Sequence, residues 1–323
     1  MIRRLLILLL ALQAGAALAL AVALHRAWHP AWAAALGPAP GSALMGAIDV
    51  ALGVAAVVFV RMLISANNFL LSWRAGSATP PAHRLGPRRA AALFLGEFRA
   101  SMLASSYDML KPVGLRLRSA PAFDADPGAR RPPVLLIHGY ACNSGYWAPL
   151  SAVLGRAGIA HHGIDLEPPG CAIDDYVPQV QAAVERLLAL TGAGRVVIVA
   201  HSMGGLVARA WLRRHGGARL ARLITLGTPH HGTGLASLGP GANARQMRRG
   251  HRWLAELAGA EDAARRAAIT SIFSHHDNIV APQESCRLPG ARNVELGGVG
   301  HVALGRSAAV LASILQEINA AGL

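Results

Sequence analysis

One serine in this sequence stands where a serine can act as a nucleophile. In RVVIVAHSMGGLVARAWL, residues 195–212, an apolar run stops at His201 and Ser202, and two glycines open a helical pattern. A serine hydroxyl is a weak nucleophile until a neighbouring base takes its proton. The pattern glycine-x-serine-x-glycine holds such a serine on a sharp strand-to-helix turn, where crowding demands small neighbours. Here the turn reads Ala200-His201-Ser202-Met203-Gly204, with Gly205 after it. Alanine replaces the first glycine and is still small, so Ala200, His201, Gly204 and Gly205 are expected to support the turn. A serine capping a helix is the plain alternative. The apolar strand before Ser202 and the amphipathic helix after it favour the nucleophile. The chemistry would be acyl transfer, which needs N–H donors aimed at the developing oxyanion. The Met203 N–H, at a helix start directly after the serine, is one expected donor.

Three stretches, AHSMGG, LLIHGY and TLGTPHHGT, together resemble the α/β-hydrolase superfamily and, within it, bacterial lipases and esterases. The likeness covers about residues 132–323. It implies the chain order serine, acid, histidine, the acid orienting the imidazole and stabilising its protonated form. FSHHDNIVAP puts Asp277 at the end of an expected strand, where the family carries its acid. Glu284 and Glu295 are the alternatives, Glu295 lying inside the next strand pattern. GGVGHVAL places His301 after a glycine-rich loop and before the last helix, where the family's base belongs. His201 is too close to the serine along the turn to be its base. His230 and His231 fall in TPHHGT, at the expected rim of the site, and His275 and His276 adjoin the acid. The loop His138-Gly139-Tyr140 implies the second oxyanion donor, the Tyr140 N–H. No cofactor and no metal are expected, because the chain has no acidic cluster like those that hold structural calcium in some relatives.

These residues need a scaffold. VLLIHGY, IAHHGIDLE, RVVIVAHS, RLITLGTP, AITSIFSHHD and NVELGG read as strands. Between and after them VPQVQAAVERLLALTG, GGLVARAWLRRHG and SAAVLASILQEI read as helices. Continuous apolar strands alternating with helices predict a mostly parallel sheet covered on both faces, an α/β class protein with the α/β-hydrolase fold. The interval 233–266 is loop-rich and then helical around Trp253, Leu254 and Leu257, with Arg245, Arg248, Arg249 and Arg252 in its middle. It is expected to form a cap or lid, either mobile with arginines toward lipid phosphates or a solvated cover of the sheet.

The N-terminal part is different. The chain is 53% hydrophobic, only 15% charged and has a mean hydropathy of +0.37, which points to membrane segments. Leu5 to Leu24 is a charge-free stretch about long enough to span a bilayer. Ala43 to Ile64 is a second candidate, with Asp49 and Arg61 expected near its ends, where they can reach the interface. Residues 1–74 are therefore expected to form a two-helix anchor, 75–131 a linker with an amphipathic helix, and 132–323 the catalytic domain. In the amphipathic helix, Phe94, Phe98 and Met102 recur on the face expected to pack. Pro121 to Pro133 reads as a further break.

Arg3 and Arg4 precede the first span, Arg26 lies between the two, and Arg74, Arg84, Arg88, Arg89 and Arg99 follow the second. The positive-inside rule then predicts a hairpin in a bacterial inner membrane with both ends, and the catalytic domain, in the cytoplasm. With one span, the domain would instead be exported or face the periplasm. The net charge of +14 is nearly all arginine, Lys111 being the single lysine. It accompanies heavy use of Ala, Gly and Pro and no nucleic-acid motif, so compositional bias explains it better than a nucleic-acid partner. Cys142, Cys171 and Cys286 are read as ordinary thiols, with a Cys142–Cys171 bridge the alternative. The expected function is hydrolysis of carboxylic esters of lipids or other apolar substrates through an acyl-enzyme. An acyltransferase on the same scaffold and a non-catalytic membrane adaptor are the alternatives. The complete order Ser202, Asp277, His301 argues against the adaptor.

Overall fold

The computed structural model describes residues 1–36, 40–117 and 131–322. Most of the expected break from Pro121 to Pro133 lies outside the described residues. Two compact units are present, Arg3–Asn67 and Asn68–Leu323 with Met1 and Ile2.

The first unit is built from α1 (Ile2–Leu36) and the larger part of α2 (Pro40–Ala75). Both are long and apolar enough to cross a membrane, over Ile2–His29 and Ala43–Ala75. Three contacts fix their direction. Arg61 Nη1 donates to Gln13 Oε1 at 3.4 Å, Gly53 lies against the Ala17 carbonyl, and His25 Nδ1 meets Asp49 Oδ2 at 2.9 Å. The pairs run in opposite order along the two helices, so the helices are antiparallel. A Cβ at residue 53 would come within 2.2 Å of the Ala17 oxygen, so glycine sets the closest approach. The apolar stretch that carries Asp49 and Arg61 runs from Ala43 to Ala75, past the expected end at Ile64, so Arg61 lies well inside it. Both residues turn inward to partners on α1, because a charged group on an apolar helix gains more from a polar neighbour than from hydrocarbon.

The second unit holds a six-stranded sheet. Its strands are β1 (Val134–Ile137), β2 (His161–Ile164), β3 (Val196–His201), β4 (Leu220–Leu226), β5 (Ile269–Ser274) and β6 (Arg292–Leu296). They lie in the order β2-β1-β3-β4-β5-β6, every pair parallel. The helices are α3 (Pro87–Ser106), α4 (Ala148–Arg156), α5 (Val177–Thr191), α6 (Met203–His215), α7 (Ala242–Gln246), α8 (Arg252–Gly259), α9 (Ala263–Ala267) and α10 (Ala308–Ala320). Each strand read from the sequence is present.

Strand alternation explains why the runs of β1 and β3 are apolar almost throughout. Leu135, Ile137, Ile198 and Ala200 face one layer, with α5, α6 and α8. Leu136, Val197, Val199 and Ile224 face the other, with Trp147, α4 and α10. A strand buried on both faces has no solvent side to mark with polar residues. The chain leaves β1 toward β2 on one side, and β3 pairs on the other side of β1. The crevice at this switch point, beyond the carboxyl ends of β1 and β3, is where open α/β sheets bind ligands.

The interval after β4 folds into short helices, and Trp253, Leu254 and Leu257 enter the core. Arg245, Arg248, Arg249 and Arg252 are exposed. All three cysteines are free thiols. In α3 the buried positions are Leu93, Glu97, Ala100 and Ala104, while Phe94, Phe98 and Met102 are half-buried. The packed face is thus turned by one residue from the expected one, and a glutamate lies in it.

A buried ion pair links α6 to the segment before α9. Arg209 donates to both carboxylate oxygens of Glu261, at 2.6 and 2.7 Å, with side chains 0% and 1% exposed. Removing one partner strands the other's charge, which costs about 3–5 kcal/mol. Glu261→Ala is therefore expected to lower unfolding stability by that amount in detergent, followed by tryptophan fluorescence. The paired change Arg209→Met with Glu261→Met should recover most of it. A loss below about 1 kcal/mol, the range of solvated pairs, would show that Arg209 finds other compensation.

Candidate active site

The end of β3 is crowded by design of sequence. Ser202 has φ 55° and ψ −125°, a left-side conformation unusual for a residue with a Cβ. Its N–H donates to the Leu226 carbonyl at 2.8 Å, and its own carbonyl accepts from Gly205 N–H at 3.1 Å. Glycines surround it. A Cβ at Gly139 would lie 2.9 Å from the Ser202 Cβ, and one at Gly204 would lie 2.5 Å from the His138 oxygen. One at Gly205 would lie 2.1 Å from Thr228 Oγ1. The first turn of α6 thus presses on the exits of β1 and β4, which is possible only without side chains there. Ala200 is fully buried in the same turn.

Asp277 and His301 come together beside this turn. His301 Nδ1 and Asp277 Oδ2 are 2.7 Å apart, both buried. The other Asp277 oxygen accepts the N–H groups of Ile279 and Val280 at 2.8 and 2.7 Å. The His301 N–H donates to Asn278 Oδ1 at 3.0 Å. Burial opposes charging His301, but the charge and hydrogen bond of Asp277, with Glu97 further off, outweigh it and hold its pKa above the ordinary value. Among the described residues no hydrogen bond joins Ser202 Oγ to His301. Among the described residues, Glu284 and Glu295 form no hydrogen bond or ion pair with His301. Glu295 pairs with Arg287 and His275, and Glu284 with Arg287.

His201 supports rather than competes. Its Nε2–H donates to the His301 carbonyl at 3.1 Å, and its ring stacks on Tyr146 with centroids 4.4 Å apart. Burial first, then the nearby His301, push its pKa well below the ordinary value, so it stays neutral. His138 donates from Nδ1 to the Gly139 carbonyl and accepts the Leu166 N–H at Nε2, both at 2.9 Å. That fixes the loop leading to Tyr140. No hydrogen bond occupies the Tyr140 or Met203 N–H among the described residues. The segment after β4 touches both residues. Tyr140 Oη donates to the Pro240 carbonyl at 2.8 Å, and Asn243 Nδ2 lies 3.4 Å from Met203 Sδ.

His230 is not at the rim. It is buried against Arg209, Thr225 and Ser271, accepting from Arg209 Nη1 at 3.2 Å. His231 is exposed, its Nε2 on the Arg287 carbonyl. A TPHHGT pattern carries no signal that one histidine will fold inward to meet a buried arginine. His83, His275 and Glu295 also gather, their nitrogen and oxygen atoms within 4.8 Å. Arg287 Nη1 holds one Glu295 oxygen at 2.7 Å and His275 Nε2 the other at 2.9 Å, so the carboxylate is satisfied by the chain itself.

Three residues of the neighbourhood escape a sequence reading. Glu97 accepts the N–H groups of Val302 and Ala303, at 3.0 and 2.9 Å, directly after His301. Ser72 Oγ and Gln283 Nε2 both donate to the Asp277 carbonyl, at 2.7 and 2.9 Å. The one available hint was Glu97 itself, the lone acid of α3.

A parallel sheet of this order, with a strained serine at the exit of β3 and a buried acid–histidine pair after β5 and β6, defines the α/β-hydrolase fold. Residues 132–252 match the family model described as alpha/beta hydrolase fold. A segment of 136 residues is 33% identical to a triacylglycerol lipase of Burkholderia plantarii, covering 38% of this chain and 37% of that protein. Another, of 118 residues, is 33% identical to a triacylglycerol lipase of Pseudarthrobacter phenanthrenivorans, covering 33% of this chain and 36% of that one. The matches thus span little more than a third of either relative. Among solved structures, a Bacillus licheniformis lipase in mature form superposes with a TM-score of 0.55 at 18% identity, over 64% of this chain and 99% of that one. Its propeptide form gives 0.54 at 20% identity, over 62% and 52%. At such identity the likeness speaks for the fold.

The Asp277–His301 contact has a measurable consequence. The His301 ring should titrate above about 6.5, the ordinary histidine value. Asp277→Asn removes the charge that outweighs burial, so the pKa should then fall below that value. Histidine-labelled NMR of the detergent-solubilised protein, with His301 assigned by substitution, reads both. An unchanged titration in the variant would mean that Asp277 does not govern His301.

Proposed function

We propose that the protein is a membrane-anchored serine hydrolase that cleaves carboxylic esters of lipids or similar apolar compounds. The observation that carries this reading is the buried Asp277–His301 pair beside a serine held at positive φ on a strand exit. With Nδ1–H donated to Asp277, His301 keeps Nε2 free to accept a proton. It takes the Ser202 hydroxyl proton as Oγ attacks the ester carbonyl. The Met203 and Tyr140 N–H groups hold the oxyanion. The imidazolium then gives its proton to the leaving alcohol, and an acyl-Ser202 ester remains. Water attacks that ester while His301 again takes a proton, and the acid leaves as Ser202 regains its hydrogen.

A lipid substrate is favoured by two features. The relatives named above are triacylglycerol lipases, and the first two helices would hold the site close to lipid. The arginines flanking those helices favour a hairpin in a bacterial inner membrane with the catalytic unit on the cytoplasmic side. Residues 233–266 act as the cap in this reading, supported by the contacts of Pro240 and Asn243 with Tyr140 and Met203.

The test is a p-nitrophenyl ester series of rising chain length, run with detergent-solubilised protein and its Ser202→Ala variant, beside labelling by a fluorophosphonate. The variant should lose labelling and lose roughly 10⁴-fold or more in kcat. Catalysis needs His301 neutral, and its pKa lies above the ordinary value. The acid limb of kcat/KM should therefore fall above about pH 6.5. Equal turnover by wild type and variant would overturn the assignment of Ser202.

A further inference from the structure

The loop GGVGH, which delivers His301, is held from a helix that lies outside the residues matching the hydrolase family. Glu97 sits in the middle of α3, 1% exposed. Its two carboxylate oxygens take one N–H each, Val302 on Oε1 at 3.0 Å and Ala303 on Oε2 at 2.9 Å. These are the first N–H groups of the short 3₁₀ turn Val302–Gly305, which follows His301. The same carboxylate lies over Gly300, where a Cβ would come within 2.4 Å of Oε2. The glycine before His301 is therefore room for a carboxylate. A buried carboxylate is expensive unless its oxygens are satisfied, and here the satisfying groups belong to the loop that carries the histidine.

We propose that Glu97 is a positioning residue for His301, clamping the histidine loop and setting a second negative charge, behind that of Asp277, near its ring. This rests on the reading of His301 as general base. In that reading the proton leaving Ser202 makes His301 a cation, and a fixed carboxylate nearby favours the cation over the neutral ring. The groups around the clamp are few. Asp277 and His201 adjoin His301, Tyr146 stacks on His201, and Arg99 and Arg306 line the cavity between α3 and the loop. Arg306 is engaged by Asp108, which leaves Glu97 to the loop. Burial, with a smaller push from the Asp277 charge, holds the Glu97 pKa above its ordinary value, against the two N–H groups and His301, which lower it. A carboxylate so placed is charged most readily when His301 is.

The test uses the full-length protein in detergent with Glu97→Gln, Glu97→Asp and Glu97→Ala. Glutamine keeps the shape but offers one acceptor and no charge. The rate of fluorophosphonate reaction at Ser202 should fall between about 10- and 100-fold in Glu97→Gln, as expected for a misplaced catalytic group. Its acid limb should move to lower pH, because one charge favouring the imidazolium is gone. Amide hydrogen exchange over residues 301–305 should quicken. Glu97→Asp, which keeps the charge, should retain a limb closer to that of wild type, and Glu97→Ala should resemble Glu97→Gln or be worse. A merely structural glutamate would lower the thermal midpoint yet leave rate and limb unchanged in the folded variants, and that result overturns the proposal. If wild type itself fails to react, the reading of the site is what fails. The clamp is then judged on loop exchange and on the NMR titration of His301, with quicker exchange and a lower pKa supporting it and no change in either overturning it.

Discussion

Everything in the site depends on one backbone position that the chain would not choose freely. Ser202 is held at φ 55°, a conformation costing on the order of 1–3 kcal/mol for such a residue. It persists because two hydrogen bonds and three close packings fix it from opposite sides. The Leu226 carbonyl takes its N–H, Gly205 binds its carbonyl, and Gly139, Gly204 and Gly205 leave no atoms in the way. The parallel order of the sheet follows from the same need. The serine must stand at the exit of β3 with β1 on one flank and β4 on the other, because the exits of those strands supply His138 and Thr228 against α6.

The acid and the histidine answer to a second constraint, that two buried ionisable groups must be held by partners within the fold. Asp277 is held through Ile279, Val280 and His301, and His301 through Asn278 and Asp277. Neither loop is self-sufficient. The Asp277 carbonyl is met by Ser72 and Gln283, and Gln283 Oε1 also accepts the Ser77 N–H. The histidine loop is met by Glu97. The unit that contains the site therefore begins at Asn68, well before the first strand of the sheet at Val134.

The legible parts of this protein were those written in local pattern. The central strands β1 and β3, buried on both faces, appear as nearly unbroken apolar runs, and the other strands were found beside them. The turn at Ser202 appears as small residues around a serine. Asp277 and His301 appear through their places after strands, helped by resemblance to a family. What stayed hidden are contacts made across the chain. Ser72 and Asp277 are 205 residues apart, as are Glu97 and Val302, and no spacing rule joins them. Phe94, Phe98 and Met102 share a helical period with the packed face but lie one residue off it, since a satisfied glutamate can occupy a core position that hydrophobicity would never assign to it. Arg61 and His230 misled in the same way. Each is a polar residue whose partner lies elsewhere in the chain, and composition placed it at an edge.

These long-range contacts bear on how the segment before β1 should be understood. A linker or anchor that merely tethers a catalytic domain would present solvated polar groups to it, and those groups would be exchangeable. Ser72 and Glu97 are instead buried, and each gives its polar atoms to the backbone of a loop carrying one half of the Asp277–His301 pair. A buried backbone carbonyl or N–H that loses its partner costs more than a hydrogen bond is worth on balance. Substitution at either residue would thus fall on the geometry of the pair before it fell on attachment. The end of α2 and the middle of α3 are, by that argument, parts of the frame that holds the Asp277–His301 pair.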